Sequence, residues 1–215
     1  MATSPQPRTL RSDARRNRER IVASARELFA QEGVDVPVEE ITRRAGVGMG
    51  TLYRHFPTKD GLVDAVLEDA FAELVAVAEV AAADEDAWVG FTGFLEGVLS
   101  LRARNRGLKG ALAARGHGGE RAEAMRARMR PLLAGLIARA KEQGALRPDF
   151  MVEDLPLVLW GVDGVMETTA DVAPDHWRRH LGLLLDGLRA EAATPLPGPP
   201  LTRRQLERAA GRRTA

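Results

Sequence analysis

The stretch from Ile41 to Phe56 constrains the fold of this chain more than any other, because it reads as two short helices joined by a tight glycine turn. Ile41 and Ala45, with Val38 before them, share one face of the first helix at i, i+3 and i+7. Gly46 follows at once, where a helix often ends in a left-handed residue. This is the layout of a helix-turn-helix, whose second helix lies in the major groove of DNA.

The second helix of this pair has one narrow apolar stripe, formed by Leu52 and Phe56 four residues apart. Its other face has many hydrogen-bond donors, few carboxylates and no bulky aliphatic side chain, which suits phosphates and base edges. Tyr53 and His55 are expected to donate to phosphates, and Gly50 to allow a close approach to DNA. The full set of predicted DNA-binding residues is Arg43, Arg44, Gly48, Met49, Gly50, Thr51, Tyr53, Arg54, His55 and Lys59.

Three sequence blocks follow one another between Arg20 and Leu62: E-L-F-A-Q-E-G, then V-E-E-I-T-R-R-A-G-V-G-M-G-T-L-Y-R-H-F, then P-T-K-D-G-L. In order and spacing they resemble the DNA-binding domain of the TetR family of transcriptional regulators. Two positions depart from the family pattern, since Pro37 stands where the family usually has Ser or Thr, and Gly48 where it usually has Ser. Both residues are compatible with a helix start. The resemblance implies a homodimer formed through the last two long helices and an inducer site within a helical body.

Basic residues concentrate at both ends of the chain. Residues 1–60 carry 11 basic and 8 acidic side chains, and residues 195–215 carry five Arg and one Glu, which leaves a net charge of −6 on residues 61–194. Contact with the DNA backbone is expected for the first run, because the helix-turn-helix lies directly downstream; a solvated tail is the alternative. The run comprises Arg8, Arg11, Arg15, Arg16, Arg18 and Arg20.

The chain has no cysteine, which excludes disulfides and thiol chemistry and fits a reducing compartment. Its N-terminus has no hydrophobic signal core, and no apolar run is long enough to span a bilayer. A cytoplasmic protein without a membrane partner is therefore expected.

No segment alternates as a strand does, so the sequence predicts an all-α fold of about nine helices, with a three-helix DNA-binding head and a helical body for ligand binding and dimerisation. The expected parts are a disordered basic tail over 1–11, the helix-turn-helix domain over 12–57, the ligand-binding and dimerisation domain over 58–193, and a Pro-rich linker with a basic tail over 194–215. The predicted body helices are 58–83, 86–103, 105–115, 119–143, 152–170 and 174–192.

The last two of these helices are apolar in nearly every direction, and such helices must be covered on all sides. Trp160, Leu184 and Leu188 are expected to lose solvent contact only when two copies join. A homodimer through 152–170 and 174–192, forming a four-helix bundle, is therefore predicted, with burial inside one chain as the alternative.

Other chemistry is weakly supported by the sequence. The glycines at 46–50 follow a helix and not a strand, which excludes a phosphate-binding loop. His176 and His180 lie one helical turn apart, but a third metal ligand is missing. No Ser/His/Asp arrangement or isolated pair of carboxylates stands out. The sequence therefore predicts no catalytic residues, no metal, no cofactor and no enzymatic activity.

The middle helices carry aromatic and Met side chains, which can line a site for a small apolar ligand, although plain core explains most of them equally well. An acidic body favours an apolar or cationic inducer. The residues predicted to contact it are Phe91, Phe94, His117, Arg121, Met125, Met129 and Trp160.

Together these features predict a homodimeric, ligand-responsive transcriptional regulator: a repressor that a small molecule releases from a palindromic operator in double-stranded DNA. An activator or a regulator without a ligand fits the same residues. An alternative of another class is a small-molecule binding or carrier protein whose helix-turn-helix does not function.

Overall fold

The computed structural model describes residues 7–104, 119–191 and 193–212, and within them the side chains of residues 12–104, 124–191 and 193–209. These described residues form nine α-helices and no β-strand, which confirms the all-α prediction. The predicted helix 105–115 lies outside the described residues. The helices are α1 (Pro7–Glu32), α2 (Val38–Ala45), α3 (Met49–His55), α4 (Lys59–Ala83), α5 (Ala87–Arg104), α6 (Gly119–Glu142), α7 (Leu155–Thr168), α8 (Trp177–Leu188) and α9 (Arg203–Arg212).

Helix α1 begins at Pro7, inside the stretch for which the sequence predicts disorder through residue 11. The local sequence accounts for a helix that begins there. Proline has no N–H to lose at a helix start and is preorganised for the first turn. The Arg and Leu residues that follow are strong helix formers. Ion pairs within the helix continue the pattern, as between Arg15 and Glu19 at 3.5 Å.

The chain divides into two compact units within α4, after Ala70, and not at the predicted boundary of residues 57 and 58. The first unit holds α1, α2, α3 and the first turns of α4. Leu62, Val63 and Val66, on those turns, are buried, so the start of α4 completes the core of the head. The other core side chains of this unit include Ile21, Ala25, Leu28, Phe29, Ile41, Ala45, Leu52 and Phe56.

The second unit has an aromatic core. The ring of Phe91 meets the edge of Phe150 at 5.5 Å and lies 5.9 Å from Trp88, over which the guanidinium of Arg189 stacks at 4.3 Å. Gly90 allows the close approach of the end of α4 to the start of α5, since a Cβ there would lie 2.4 Å from the carbonyl oxygen of Ala81. These contacts make the middle helices a packed interior.

Helices α7 and α8 are shorter than the predicted helices 152–170 and 174–192. Residues 152–154 form a 3-10 turn, and the side chain of Asp154 accepts a hydrogen bond from the Met151 N–H at 2.7 Å. Helix α8 ends because the chain turns extended at Arg189, which bridges to Leu146 in an antiparallel manner. The segment after α8 is therefore extended and pairs with the segment after α6.

The Pro-rich linker is tied to the body at its start. The buried guanidinium of Arg147 donates to the carbonyl of Gly187 at 3.1 Å, to the carbonyl of Thr194 and to the carboxylate of Asp149. Asp149 in turn accepts a hydrogen bond from the Leu196 N–H at 3.3 Å. We call this set the linker anchor.

The basic tail after the linker forms helix α9. Its start is capped by a reciprocal pair, in which the Thr202 N–H donates to the Gln205 side chain at 2.8 Å and the Gln205 N–H donates to the Thr202 hydroxyl at 3.3 Å. No helix in the described part of the chain is long and apolar enough to cross a membrane.

Candidate nucleic-acid interface

The turn between α2 and α3 is a Schellman motif. Gly46 has a φ of 61° and a ψ of 42° and donates to the carbonyl of Arg43 at 3.3 Å, while the Val47 N–H donates to the carbonyl of Thr42 at 3.1 Å. The predicted left-handed glycine is confirmed. Because both bonds close the last turn of α2, the direction in which α3 leaves is fixed by backbone geometry.

Two arginines of α1 reach this turn and the end of α3. Arg20 donates to the carbonyl oxygen of Gly46 at 3.2 Å, and the guanidinium of Arg18 lies 5.4 Å from the centre of the Phe56 ring. The predicted set of DNA-binding residues left both out, although the basic run of the sequence contains them. They bring positive charge from α1 to the two ends of the candidate interface.

Helix α3 buries one stripe and exposes the rest. Leu52 is fully buried and Phe56 nearly so, as the spacing predicts. Gly50, Tyr53 and Arg54 are exposed, and Met49, Thr51 and His55 are partly buried. Among the described residues, a Cβ added to Gly48 or Gly50 would meet nothing within 4 Å, so packing between these residues requires neither glycine.

The cations around α3 differ in their partners. Arg43 pairs with Glu40 through two hydrogen bonds, one of 3.1 Å, and Arg44 pairs with Glu27 at 3.0 Å. The hydrogen bond to Glu40 raises the pKa of Arg43. Arg54 is exposed and has no carboxylate partner among the described side chains. It is therefore a better cation for DNA than Arg43 or Arg44, which would have to exchange a carboxylate for a phosphate.

Met49 and His55 are held partly inside. The sulfur of Met49 lies 3.6 Å from the Thr42 hydroxyl, which donates to the carbonyl of Glu39 at 2.8 Å. The Nε2 atom of His55 is buried and has no hydrogen-bond partner within the described residues. A phosphate contact by His55 therefore requires its other ring nitrogen, and Met49 packs against α2 as well as facing outward.

Lys59 is the first residue of α4, after the predicted cap. The Thr58 hydroxyl accepts a hydrogen bond from the Gly61 N–H at 3.1 Å, which confirms the N-cap. The start of a helix carries partial positive charge from its unpaired N–H groups. The Lys59 ammonium therefore adds a full charge at a position that already favours an anion.

The predicted ligand residues lie in the second unit where the structure describes them. Phe91 and Phe94 are buried in its core, Met129 packs against that core, and Met125 and Trp160 are partly buried. His117 and the side chain of Arg121 lie outside the described residues. The rings of Trp88 and Phe150 pack against two sides of Phe91, as expected for an ordinary core residue.

One buried polar group in this unit was missed by the sequence analysis. Trp177, at the start of α8, is fully buried, and its indole N–H has no hydrogen-bond partner within the described residues. The sequence suggests only that Trp177 begins an amphipathic helix. Among the described side chains, no three His, Asp or Glu residues lie close enough to hold a metal ion, and this includes His176 and His180.

Comparison with known proteins gives two family matches. Residues 21–66 match the family described as bacterial regulatory proteins, tetR family. Residues 85–190 match the C-terminal domain family described as transcriptional regulator SbtR-like. The first match contains α2 and α3 and the turn between them, so most of the candidate interface lies inside the matched region.

Solved structures resemble most of the chain. A TetR transcription regulatory protein from Mycobacterium vanbaalenii is 36% identical, with a TM-score of 0.65, and the similarity covers 84% of this chain and 99% of that one. A TetR transcriptional regulator from Streptomyces coelicolor is 30% identical, with a TM-score of 0.63, over 80% of this chain and 98% of that one.

Curated relatives match over a short part of the chain. An HTH-type transcriptional regulator of Staphylococcus aureus (strain USA300) is 45% identical over 60 residues, which is 27% of this chain. The match spans 32% of that relative's own length.

Proposed function

The chain belongs to the TetR family of transcription regulators, and on that premise we propose that it is a homodimeric repressor that a small molecule releases from a palindromic DNA operator. Regulators of this family bind DNA and form dimers. The identity of the DNA-contacting residues, the dimer face, the response to a ligand and the direction of regulation belong to the proposal.

The observation that carries the proposal is the outer face of α3. Gly50, Tyr53 and Arg54 lie exposed on a helix whose apolar stripe is fully used by the core of the head. Gly50 leaves room for the backbone to approach DNA, Tyr53 supplies a hydroxyl donor, and Arg54 supplies a guanidinium without a carboxylate partner among the described side chains. These are the groups that position a helix on phosphates and read guanine in the major groove.

The dimer face proposed for α7 and α8 rests on apolar and small residues that one chain leaves uncovered. Leu157 is 38% exposed and Leu183 is 62% exposed. Gly161 and Gly164, at i+4 and i+7 from Leu157, are exposed, and a Cβ at either would contact none of the described residues. Such a face fits the same face of a second copy, and two-fold symmetry would then duplicate α3. Half-sites on DNA require a spacing of about 34–36 Å or a multiple of it.

A refinement concerns which residues lie at that face. Leu184 and Leu188 are partly buried and pack against the core of their own chain. Leu183 and Leu157 are the more exposed side chains. We therefore assign the partner contact to Leu157 and Leu183, with Leu184 and Leu188 behind them.

Two features of the body support a ligand. The first is its acidic character together with an aromatic interior, which favours an apolar or cationic compound. The second is the indole N–H of Trp177, because a buried donor without a partner is costly and an acceptor atom on a ligand would satisfy it. Phe91, Phe94, Met125, Met129 and Trp160 remain the proposed wall, with Arg121 and His117 as polar contacts.

In this proposal the body has two states in equilibrium, and the ligand releases the protein from DNA by shifting that equilibrium. Helix α4 runs without interruption from the head into the second unit. A ligand that favours a body state with a different α4 position would disturb the spacing of the two heads. Moving the equilibrium from mostly bound to mostly released requires a preference of about 5.5 kcal/mol for that state.

The test is fluorescence anisotropy with labelled duplexes from the DNA that flanks this gene, followed by addition of a panel of apolar and cationic compounds. The proposal expects tight, sequence-specific binding that one class of compound reverses. Specific binding that no compound reverses would favour the regulator without a ligand. Compound binding without any DNA binding would favour the carrier protein with an inactive helix-turn-helix.

A further inference from the structure

Four arginines lie between residues 15 and 20 of α1, and they divide into two pairs by what they contact. Arg15 pairs with Glu19 at 3.5 Å, and Arg16 pairs with Asp13, so these two are engaged with carboxylates of their own helix. The other two contact no carboxylate among the described side chains and reach other parts of the head instead. The basic run of the sequence is therefore not one uniform surface.

Arg18 is held over the ring of Phe56, at the C-terminal end of α3. It lies three residues before Ile21 and four before Val22, so it continues the buried stripe of α1 toward the N-terminus. Its guanidinium carbon is 5.4 Å from the centre of the Phe56 ring, which attracts a cation. Arg18 is nevertheless exposed, and the N–H groups at the edge of a guanidinium over a ring stay available to a phosphate.

Arg20 is held at the other end of α3. It donates to the carbonyl oxygen of Gly46, in the turn that precedes the N-cap of α3, at 3.2 Å. The missing side chain of Gly46 makes room for this contact, because a Cβ there would lie 2.6 Å from a terminal nitrogen of Arg20. The bond uses one of the five N–H groups of an exposed guanidinium and leaves the others for a second acceptor.

The two arginines thus lie at opposite ends of the helix that is proposed to enter the major groove. Helix α3 has seven residues and is therefore about 10 Å long, close to the groove width of about 12 Å. The phosphates of the two strands border the groove, so cations at the two ends of such a helix lie near phosphates. Arg18, Arg20 and α3 belong to the same compact unit, which keeps this arrangement together.

We propose that Arg18 and Arg20 form a phosphate clamp, in which each guanidinium binds a backbone phosphate at one end of α3. The Phe56 ring and the Gly46 carbonyl hold the two groups in place before DNA arrives, so less side-chain freedom is lost on binding. This inference rests on the proposed function, because it requires α3 to lie in the groove. Arg15 and Arg16 have no part in the clamp and contribute only their general charge.

The experiment compares four full-length proteins: wild type, R18Q/R20Q, R18K/R20K and the control R15Q/R16Q. The control removes the same charge from the same helix, but from the two arginines that pair within α1. Thermal melting shows that each variant is folded. Fluorescence anisotropy then gives the affinity for an operator duplex and for a scrambled duplex of equal length as a function of KCl concentration.

We expect the R18Q/R20Q slope of log affinity against log salt to be shallower by about 0.9 for each lost phosphate contact, and so by about 2 for each bound chain. Both duplexes should show this loss, because phosphates are common to all sequences. R18K/R20K should keep the wild-type slope, since it keeps both charges. A merely structural role of the two arginines would not move the slope, because the slope counts the phosphates that are neutralised. The control should change the slope much less than R18Q/R20Q does.

Three results would overturn the clamp and leave the proposed function standing. The first is an R18Q/R20Q slope equal to that of wild type. The second is an equal loss of slope in R18Q/R20Q and in the control, because the effect would then be general charge. The third is an R18K/R20K slope as shallow as that of R18Q/R20Q, because charge would then not be what the two positions supply. If wild type binds neither duplex even at low salt, the proposed function and the clamp both fail.

Discussion

Three glycines within five residues have three different tasks. Gly46 must be glycine, because its φ of 61° is strained for other residues and a Cβ would lie 2.6 Å from Arg20. Gly48 has a φ of −77° and a ψ of 155°, which any residue can adopt. Gly50 lies on the exposed side of α3 and has open space beside it. The absence of a side chain at Gly50 therefore concerns a partner and not the fold.

Gly50→Leu is predicted to abolish operator binding while the head stays folded. A leucine inside a helix is favoured over glycine by about 1 kcal/mol, so the midpoint temperature of thermal unfolding should be unchanged or slightly higher. The side chain would hold α3 off the groove, and affinity should fall toward the non-specific level, roughly 10³-fold or more.

Gly135→Leu is the matched control for that variant. Gly135 is an exposed glycine of α6 with open space beside it and has no assigned contact with DNA, so this variant should leave operator binding intact. Anisotropy titrations and calorimetric melting of both variants check the pair. Normal operator binding by Gly50→Leu would mean that α3 does not lie in the groove as proposed.

Tyr53 and Lys59 are predicted to contribute to binding in different ways. Tyr53→Phe removes a neutral donor and should weaken binding to all duplexes while changing the salt slope little. Lys59→Ala removes a charge at the start of α4 and should lower the slope by about 0.9. Titrations between low and moderate KCl measure both. If neither variant changes affinity, these residues are not at the interface.

At the scale of elements, the exposed face of α7 and α8 makes a sharp prediction about assembly. Leu183 is 62% exposed in one chain, so Leu183→Glu should not disturb the core of the monomer. A charge enclosed in an apolar interface stays desolvated and unpaired, which costs several kcal/mol, roughly 3–5. Sedimentation should then show a folded monomer with weak operator binding, because one half-site provides too little energy.

Val172→Glu is the control for assembly. Val172 is 84% exposed in the turn between α7 and α8, and it lies outside both helices. The Val172→Glu protein should sediment as the wild-type dimer does. A dimeric Leu183→Glu protein would place the interface elsewhere.

The sequence predicts helices and turns best where residues close together in the sequence determine them. The turn at Gly46, the cap at Thr58 and the stripe of Leu52 and Phe56 all follow from spacing and from residue chemistry. The predicted helix 174–192 extends too far at its C-terminal end. Helix α8 ends earlier because Arg189 pairs with Leu146, more than 40 residues away in the chain. Contacts between distant segments leave no periodic signal in either segment.

The candidate site shows the same limit. The polar face of α3 could be predicted, because it is the remainder once the apolar stripe is assigned. The pairing of Arg44 with Glu27 of α1 could not, since it depends on how two helices pack. The buried, unpartnered indole of Trp177 was also hidden, because an aromatic residue at a helix start gives no sign of what its N–H meets.

At the scale of the whole molecule, the linker anchor is predicted to make stability depend on pH in acid. The hydrogen bond from Arg147 holds the pKa of Asp149 below its ordinary value, and the Leu196 N–H contributes in the same direction. A lowered folded-state pKa adds stability that is present above the unfolded pKa, about 3.9, and lost as pH falls through the lower value.

Asp149→Asn removes this contribution. The variant should be less stable than wild type near neutral pH, and the difference should shrink below about pH 4, where the wild-type carboxyl also becomes protonated. Urea unfolding at a series of pH values checks this. A difference that stays constant down to pH 2 would show that the charge of Asp149 does not contribute to holding the linker.

The central claim is that two copies of α3, related by the two-fold axis of a dimer, bind two half-sites of one operator. The measurement that tests it most directly is the affinity and stoichiometry of the protein on operators whose half-sites are moved apart. An insertion of 5 base pairs, about half a helical turn, turns one half-site to the opposite side of the duplex. The account predicts two chains per half-site pair on the native operator and a loss of specific binding after this insertion. Equal affinity at both spacings, or saturation by a single chain, would contradict it.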